Sequence, residues 1–344
     1  MSIWWLLPTV VGVSLFMTGA LRRYALARSL MDIPNARSSH SVPTPRGGGV
    51  AIVVSFLLAL PLMAGMSLIA WPLAWALLGA GAGIAVLGFL DDHGHIAARW
   101  RLLGHFSAAI WALFWLGGLS PVAMFGFTVD LGWFGHALAA VYLVWLLNLY
   151  NFMDGIDGIA SVEAICVCVG GALLYVLLGF AGSAQPTAWV MPMLLAAAVV
   201  GFLFWNFPPA RIFMGDAGSG FLGITLGVLS LQAAWVAPQL LWSWLILLGV
   251  FIVDATFTLL RRLLRGDKVY EAHRSHAYQY ASRRVGRHLP VTLIVGSINL
   301  LWLLPIALWV GLGGVDGLLG LLIAYVPLLG LAVKYHAGEL EVRA

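Results

Sequence analysis

An all-α, polytopic membrane fold with about eleven transmembrane helices is predicted for this chain, and three observations predict it. The first is composition: of 344 residues, 62% are hydrophobic and only 9% charged, and the mean hydropathy is +0.96. A soluble domain does not carry such a balance. The second is the recurrence of apolar runs of 16 to 22 residues, the length at which a helix crosses a bilayer. The third is charge placement. Threading the runs through a bilayer in order sends all 18 Lys and Arg residues to one side, which the positive-inside rule identifies as the cytoplasm.

The elements follow in order. The first span, 3–21, has no basic n-region and no A-x-A site before Arg22, so it reads as a helix rather than a signal peptide. Loop 22–48 then carries Arg22, Arg23, Arg28, Arg37 and Arg46. Spans 49–66 and 72–90 follow, and loop 91–102 adds Arg99 and Arg101. After span 103–119, loop 119–134 has the Gly, Pro and aromatic content of a small hairpin. Span 135–150 ends in a polar cluster, and span 162–181 holds Cys166 and Cys168. Side chains two residues apart on a helix point about 200° apart, so these cysteines are small core residues rather than a disulfide. Span 187–205 stops before Pro208 and Pro209. Spans 219–236 and 239–260 come next, and loop 261–290 holds eight basic residues before spans 291–312 and 315–333. The N-terminus is thus expected outside, in the periplasm, and the C-terminus in the cytoplasm. Residues 1–344 form one membrane domain whose chemistry lies at the cytoplasmic face, on loops 22–48, 91–102, 151–161, 206–218 and 261–290. External loops carry only Asp130 and Asp316 as acids. The formal charge of +4 is explained by membrane-side arginines that meet anionic lipid head groups, and no nucleic acid is expected as a partner.

Polar constellations gather on that face. Leu147–Ala160, LNLYNFMDGIDGIA, places Asn148, Asn151 and Asp154 at steps of three, roughly on one helix face, with Asp157 one step further. Acids and amides at the mouth of a membrane helix are costly unless they meet water, a cation or a substrate. Loop 22–48 holds His40 and Arg46 in SSHSVPTPRGGG, whose glycines offer backbone N–H groups for an anion near a helix start. GFLDD ends a span on Asp91 and Asp92, where the helix dipole disfavours them. A divalent cation, or a proton to be removed, would justify them; Arg99 and Arg101 could hold a phosphate. NFPPARIFMGDAGSGFLG carries Asn206 and Asp216; Asp216 suits Mg²⁺ or a plain helix cap. HRSHAYQ brings His273, Arg274 and His276, which fit a diphosphate better than zinc. Asp254, inside a span, is either functional or the support of a neighbour. Together these residues describe metal-dependent transfer onto or from a lipid phosphate.

At these five motifs, in their order along the chain, the sequence closely resembles the polyprenyl-phosphate N-acetylhexosamine-1-phosphate transferases, the glycosyltransferase-4-like family that includes MraY, WecA and WbpL. The resemblance covers essentially the whole chain and implies a fold of ten or eleven helices. It implies attack of undecaprenyl phosphate on the β-phosphate of a UDP-N-acetylhexosamine, releasing UMP and leaving a lipid-diphosphate-linked sugar. Asp216 matches the family's magnesium ligand, with Asp92 near the metal and Mn²⁺ a candidate substitute for Mg²⁺. Asp91 is expected to deprotonate or position the lipid phosphate. Asn151 and Asp154 match positions that hold the nucleotide, Asp157 a partner in that motif and Asn206 a polar position beside the metal; Asn148 is expected among the substrate contacts. His273, expected to be catalytic, falls with Arg274 and His276 in the loop that contacts diphosphate and sugar; His40, Arg46 and Arg101 complete the expected substrate contacts.

Two departures, His40 for a lysine and His273-Arg-Ser-His276 for a run of three histidines, point to the WecA/WbpL branch. That branch implies the bacterial inner membrane and the start of O-antigen or another surface polysaccharide. A muramoyl-pentapeptide transferase of the MraY type is the alternative, and a homodimer is compatible with either. A transporter is disfavoured, because its polar site would lie near the bilayer midplane whereas these acids cluster at one face.

Overall fold

The computed structural model describes residues 3–34, 39–94, 96–182, 185–267 and 273–340. It is an all-α bundle of helices α1 (Ile3–Ala27), α2 (Val50–Gly65), α3 (Trp71–His93), α4 (Ala98–Leu116), α5 (Gly132–Met153), α6 (Ile159–Phe180) and α7 (Val190–Asn206). It continues with α8 (Asp216–Val236), α9 (Leu240–Leu247), α10 (Gly249–Leu264), α11 (Ala277–Val285), α12 (His288–Ile298), α13 (Leu304–Gly311) and α14 (Gly317–Lys334). A π-helical segment, Asn299–Leu303, joins α12 to α13. Strands are confined to two antiparallel pairs, β1 (Met31–Asp32) with β2 (Thr44–Pro45) and β3 (Val122–Met124) with β4 (Phe127–Val129).

A helix occupies each of the eleven predicted segments, but the count of eleven spans is not reached. Among the described residues, seven helices are long and apolar enough to cross a bilayer, and an eighth if α9 and α10, bent by 71° at their junction, form one span. The remainder fall short for physical reasons. Helices α2 and α7 have 16 and 17 residues and are largely buried against α1 and each other. Helix α4 begins with Arg99 and Arg101. Loop 119–134 forms the expected hairpin, β3–β4. Its turn donates the Phe125 N–H to Asp316 (2.6 Å), and Trp242 Nε1 donates to the Ala123 carbonyl (2.6 Å). Asp316 also caps α14 through Leu318 and Leu319, so this acid is a structural pin.

Helix α8 is the axis. Every residue from Ala217 to Leu231 is buried, and α3 and α5 are its main neighbours. Its small residues permit backbone-to-backbone packing, which drives association where lipid removes the hydrophobic difference between helices. A Cβ on Gly49 would lie 2.5 Å from the Gly218 Cα, and a Cβ on Gly88 2.6 Å from the Asp216 carbonyl. Gly48 and Gly49 of PTPRGGG therefore do not offer their N–H groups to an anion as expected. The Gly48 and Gly49 N–H groups donate to the Phe213 and Met214 carbonyls (both 2.9 Å), so these donors are already satisfied. Phe213 N–H in turn donates to Pro45 (2.8 Å), which locks the loop before α2 onto the loop before α8.

Gly88→Ala is expected to push α3 from the first turn of α8 and lower stability by about 1–3 kcal/mol, the usual cost of overpacking. Gly83→Ala on the same helix has open space around it and serves as the control. Thermal unfolding of both variants in detergent checks this; equal melting temperatures would refute the contact.

Candidate active site

The ends of α2, α3, α5, α7 and α8 meet at one end of the bundle, the end opposite the β3–β4 hairpin. Two adjoining cavities open there. The larger, about 400 Å³, is lined by His40, Arg46, Asp92, Asn151, Asp154, Asp157, Asn206 and Asp216, among others. The smaller, about 230 Å³, is lined by Asp91, Arg101, His105, Asn148 and a set of apolar side chains. Asn151 and Asp216 belong to both and form the wall between them.

That wall is built from the N-terminus of α8. Asn151 Nδ2 donates to Asp216 Oδ1 and to Ser219 Oγ (both 3.0 Å), so α5 and α8 share one polar junction. Asp92 Oδ2 accepts the Asp216 backbone N–H (3.1 Å). The unfavourable dipole at the end of α3 is thereby offset: Asp92 sits on the positive end of α8. Arg46 donates to the Asp92 carbonyl, and its other terminal nitrogen lies 3.9 Å from the Asp92 carboxylate. Asp91 turns the other way, accepting the Ile96 N–H (2.8 Å) and an Arg101 N–H (2.7 Å). The acidic pair is therefore divided between the two cavities.

Asp154 follows the last turn of α5 and has no hydrogen-bond donor among the described residues. Burial, and then the carboxylates of Asp216, Asp157 and Asp92, hold its carboxyl well above the ordinary 3.8. Five carboxylates, those of Asp32, Asp92, Asp154, Asp157 and Asp216, thus line one cavity against the single guanidinium of Arg46. Such a surplus of oxygen donors and negative charge fits a hard divalent cation. Among the described residues no three His, Cys, Asp or Glu side chains converge as a closed metal cage. Mg²⁺ is ordinarily held by one or two carboxylates, with waters and phosphate oxygens completing its shell.

Other predicted residues are occupied in holding backbone. Asp157 accepts the Ala210 N–H (3.0 Å) and pairs with His288 (3.1 Å). Asn206 accepts the Gly158 N–H and donates to the Ile212 carbonyl (both 3.0 Å). Asn148 donates to the Val144 carbonyl (2.7 Å). His40 donates to the Asp32 carbonyl at 3.4 Å and stands edge-on to Phe213 at 4.9 Å.

Loop residues His273, Arg274 and His276 line neither cavity. His276 is buried as the N-cap of α11, its ring 3.4 Å from Asp254. Asp254 accepts the Ala277 and Tyr278 N–H groups (3.0 and 3.1 Å), so it acts as the support of a neighbour. His273 packs 4.8 Å from His276 and 6.5 Å from Phe152, and Ser275 Oγ lies 2.9 Å from its Nδ1. Burial, followed by its neighbours His276 and Arg262, pushes its pKa down to about 3, so it is neutral at physiological pH. Arg274 gives its carbonyl to Arg283 (3.0 Å).

Sequence reasoning missed Asp32, Ser39, Ser219, Gln279 and His288 in the larger cavity and His105 in the smaller. Ser39, Ser219 and Gln279 sat inside quoted motifs. Asp32, His105 and His288 carried no local signal, because they reach the cavities from separate segments.

Residues 74–234 match the family described as glycosyl transferase family 4. The chain is 30% identical over 285 residues to a probable undecaprenyl-phosphate N-acetylglucosaminyl 1-phosphate transferase of Bacillus subtilis, covering 77% of this chain and 73% of that protein. The chain belongs to glycosyl transferase family 4. An undecaprenyl-phosphate alpha-N-acetylglucosaminyl 1-phosphate transferase of Thermotoga maritima is 27% identical over 294 residues, 82% of this chain and 83% of the relative. A phospho-N-acetylmuramoyl-pentapeptide-transferase of Moorella thermoacetica is 32% identical over 203 residues, but these are only 55% of this chain and 61% of that one. The stretch matched to the glycosyl transferase family runs from α3 to α8 and contains Asp91, Asp92, the Asn148–Asp157 cluster and Asp216. It excludes the PTPRGGG loop and the loop of His273.

Two measurements bear on this site. An acid whose folded pKa exceeds its unfolded 3.8 destabilises the fold once ionised, so metal-free protein should lose stability as pH rises above that value. Asp154→Asn should be the more stable protein at neutral pH in EDTA and should converge with the parent in acid; parallel melting curves across pH would refute the charge crowding. His273 lines neither cavity, so its replacement by Ala tests what the resemblance implies, a fall in turnover on the order of 10²-fold with the protein still folded; an unchanged rate would remove that loop from the site.

Proposed function

We propose that this membrane protein transfers an N-acetylhexosamine-1-phosphate from a UDP-sugar to undecaprenyl phosphate, releasing UMP. The observation that carries this reading is the shared wall of Asn151 and Asp216 between two cavities of unlike lining. The larger is polar and suits a soluble nucleotide sugar. The smaller combines Arg101 with Ile84, Leu87 and Leu102 and suits a phosphate on an apolar chain. The relatives' names describe the same pair of reactants, a polyprenyl phosphate and an N-acetylglucosaminyl 1-phosphate group.

In this reading a lipid phosphate oxygen forms a bond to the β-phosphorus, the bond to the α-phosphate oxygen breaks, and UMP leaves with that electron pair. Positioning and charge neutralisation supply most of the acceleration, as is general for phosphoryl transfer. Asp91, with both oxygens engaged by Ile96 and Arg101, positions the lipid phosphate through Arg101. Asn151 holds Asp216 in one orientation, and Arg46 lies over Asp92 against the donor's phosphates. Asp216 and Asp92 would hold Mg²⁺, whose chemistry there is to offset the charge of the diphosphate. His273 and Arg274 are assigned to the sugar and diphosphate. The motif form HRSHAYQ favours the O-antigen branch at the inner membrane, with the two cavities facing the cytoplasm and the N-terminus in the periplasm.

The test uses purified protein in detergent with undecaprenyl phosphate, Mg²⁺ and a panel of UDP-N-acetylhexosamines. UMP and a matching lipid-linked sugar are expected to appear together, and Asp216→Asn is expected to abolish both. Retained Mg²⁺-dependent turnover in that variant would overturn the metal assignment; no lipid product from folded parent protein with any donor would overturn the transferase reading.

A further inference from the structure

We infer that His105 recognises the acceptor: its Nε2–H, beside the Arg101 guanidinium, holds the phosphate monoester end of the polyprenyl chain. The inference rests on the assignment of the smaller cavity to the lipid phosphate.

His105 lies one helical turn beyond Arg101 on α4, so both side chains share a face, and both line the smaller cavity. The tautomer of His105 is set by α5. Asn148 Nδ2 donates to the Val144 carbonyl at 2.7 Å. A carbonyl can only accept, so this bond fixes which end of the amide carries the N–H groups. The second N–H of the same nitrogen meets His105 Nδ1 at 3.3 Å. Nδ1 therefore accepts, and the single proton of the neutral ring sits on Nε2. That N–H has no protein acceptor among the described residues. Arg101 commits one N–H to Asp91 (2.7 Å) and keeps the others.

The cavity thus presents a cation already paired with Asp91, a neutral N–H donor, and an apolar wall. The Asp91–Arg101 pair balances its own charge, so a donor without charge adds a bond to the phosphate with no proton to lose. Because Nε2 already carries its proton, His105 binds the phosphate and does not deprotonate it. A phosphate on an apolar chain satisfies all three features, whereas a nucleotide phosphate leaves the apolar wall unmatched.

Removing a donor to a charged group should weaken lipid binding about 10-fold or more. Steady-state kinetics would be run with undecaprenyl phosphate varied at saturating UDP-sugar, then the reverse. His105→Leu is expected to raise KM for undecaprenyl phosphate by that factor while KM for the UDP-sugar and the melting temperature stay as in the parent. His105→Gln, which keeps an N–H near the Nε2 position, should recover lipid KM to within about 3-fold. A parental lipid KM in the leucine variant overturns the inference and leaves the transferase reading standing. A rise in UDP-sugar KM instead would assign the ring to the donor phosphates and also overturn it. Equal impairment of both folded variants would show that ring packing, not the N–H, matters. A parent that makes no lipid product overturns both readings together.

Discussion

The first turn of α8 cannot move without dismantling the site. Its backbone is pressed against Gly49 on one side and Gly88 on the other, at distances no Cβ would tolerate. Asp92 accepts its leading N–H, and Asn151 orients its leading carboxylate. In a bilayer such contacts are favourable because lipid offers no hydrophobic reason for helices to associate, and close backbone approach supplies dispersion instead. The same four contacts bring helices α2, α3, α5 and α8 to one point. A packing constraint and a chemical constraint are therefore one feature here, and the glycines of three separate motifs serve it together.

That point also separates two cavities of unlike lining. On one side lie carboxylates, a guanidinium and imidazoles reachable from water. On the other lie Leu87, Leu102 and the exposed face of α4, where Leu103 and Trp100 are 57% and 56% exposed and would face lipid. A reaction between a soluble and a membrane-held phosphate needs such a boundary, because neither substrate can follow the other into its own medium. The division of Asp91 from Asp92 places one carboxylate in each compartment, although they are neighbours in the chain. Adjacent residues on a helix diverge by about 100°, which is enough to put them on opposite sides of a wall one residue thick.

Much of this was legible beforehand. The apolar runs marked every helix except α11, the short polar helix within loop 261–290, because a spanning segment must satisfy its own backbone and cannot disguise its composition. Asp92, Asn151, Asp154 and Asp216 were visible as costly acids and amides at helix mouths. What stayed hidden were facts of tertiary placement. Nothing local says that Gly48 and Gly49 would donate to Phe213 and Met214 rather than to an anion. The break between α9 and α10 lies within one apolar run, so periodicity passes through it unmarked. Glu163, fully buried and accepting from Asn299 at 2.6 Å beside the π-helical segment, drew no notice because a single acid within an apolar span has no pattern around it.

The hydrogen bonds also give several residues of the motifs a structural task. Irregular backbone at the membrane edge cannot rely on lipid for partners, so side chains must supply them. Asp157, Asn206, Asp254 and His276 all do this: each binds a loop or a helix end. They read as candidate substrate contacts or, for Asp254, as functional or supporting, because the residue types that satisfy a stray N–H are those that bind phosphates. Groups left with valence toward the cavities include Asp154, Asp92, the second oxygen of Asp216, Arg46, Arg101 and His105. A working site at this boundary thus consists of a small reactive set inside a larger polar frame. The frame follows from the bilayer as solvent, whereas in the proposed transfer the reactive set follows from the two phosphates that would meet there.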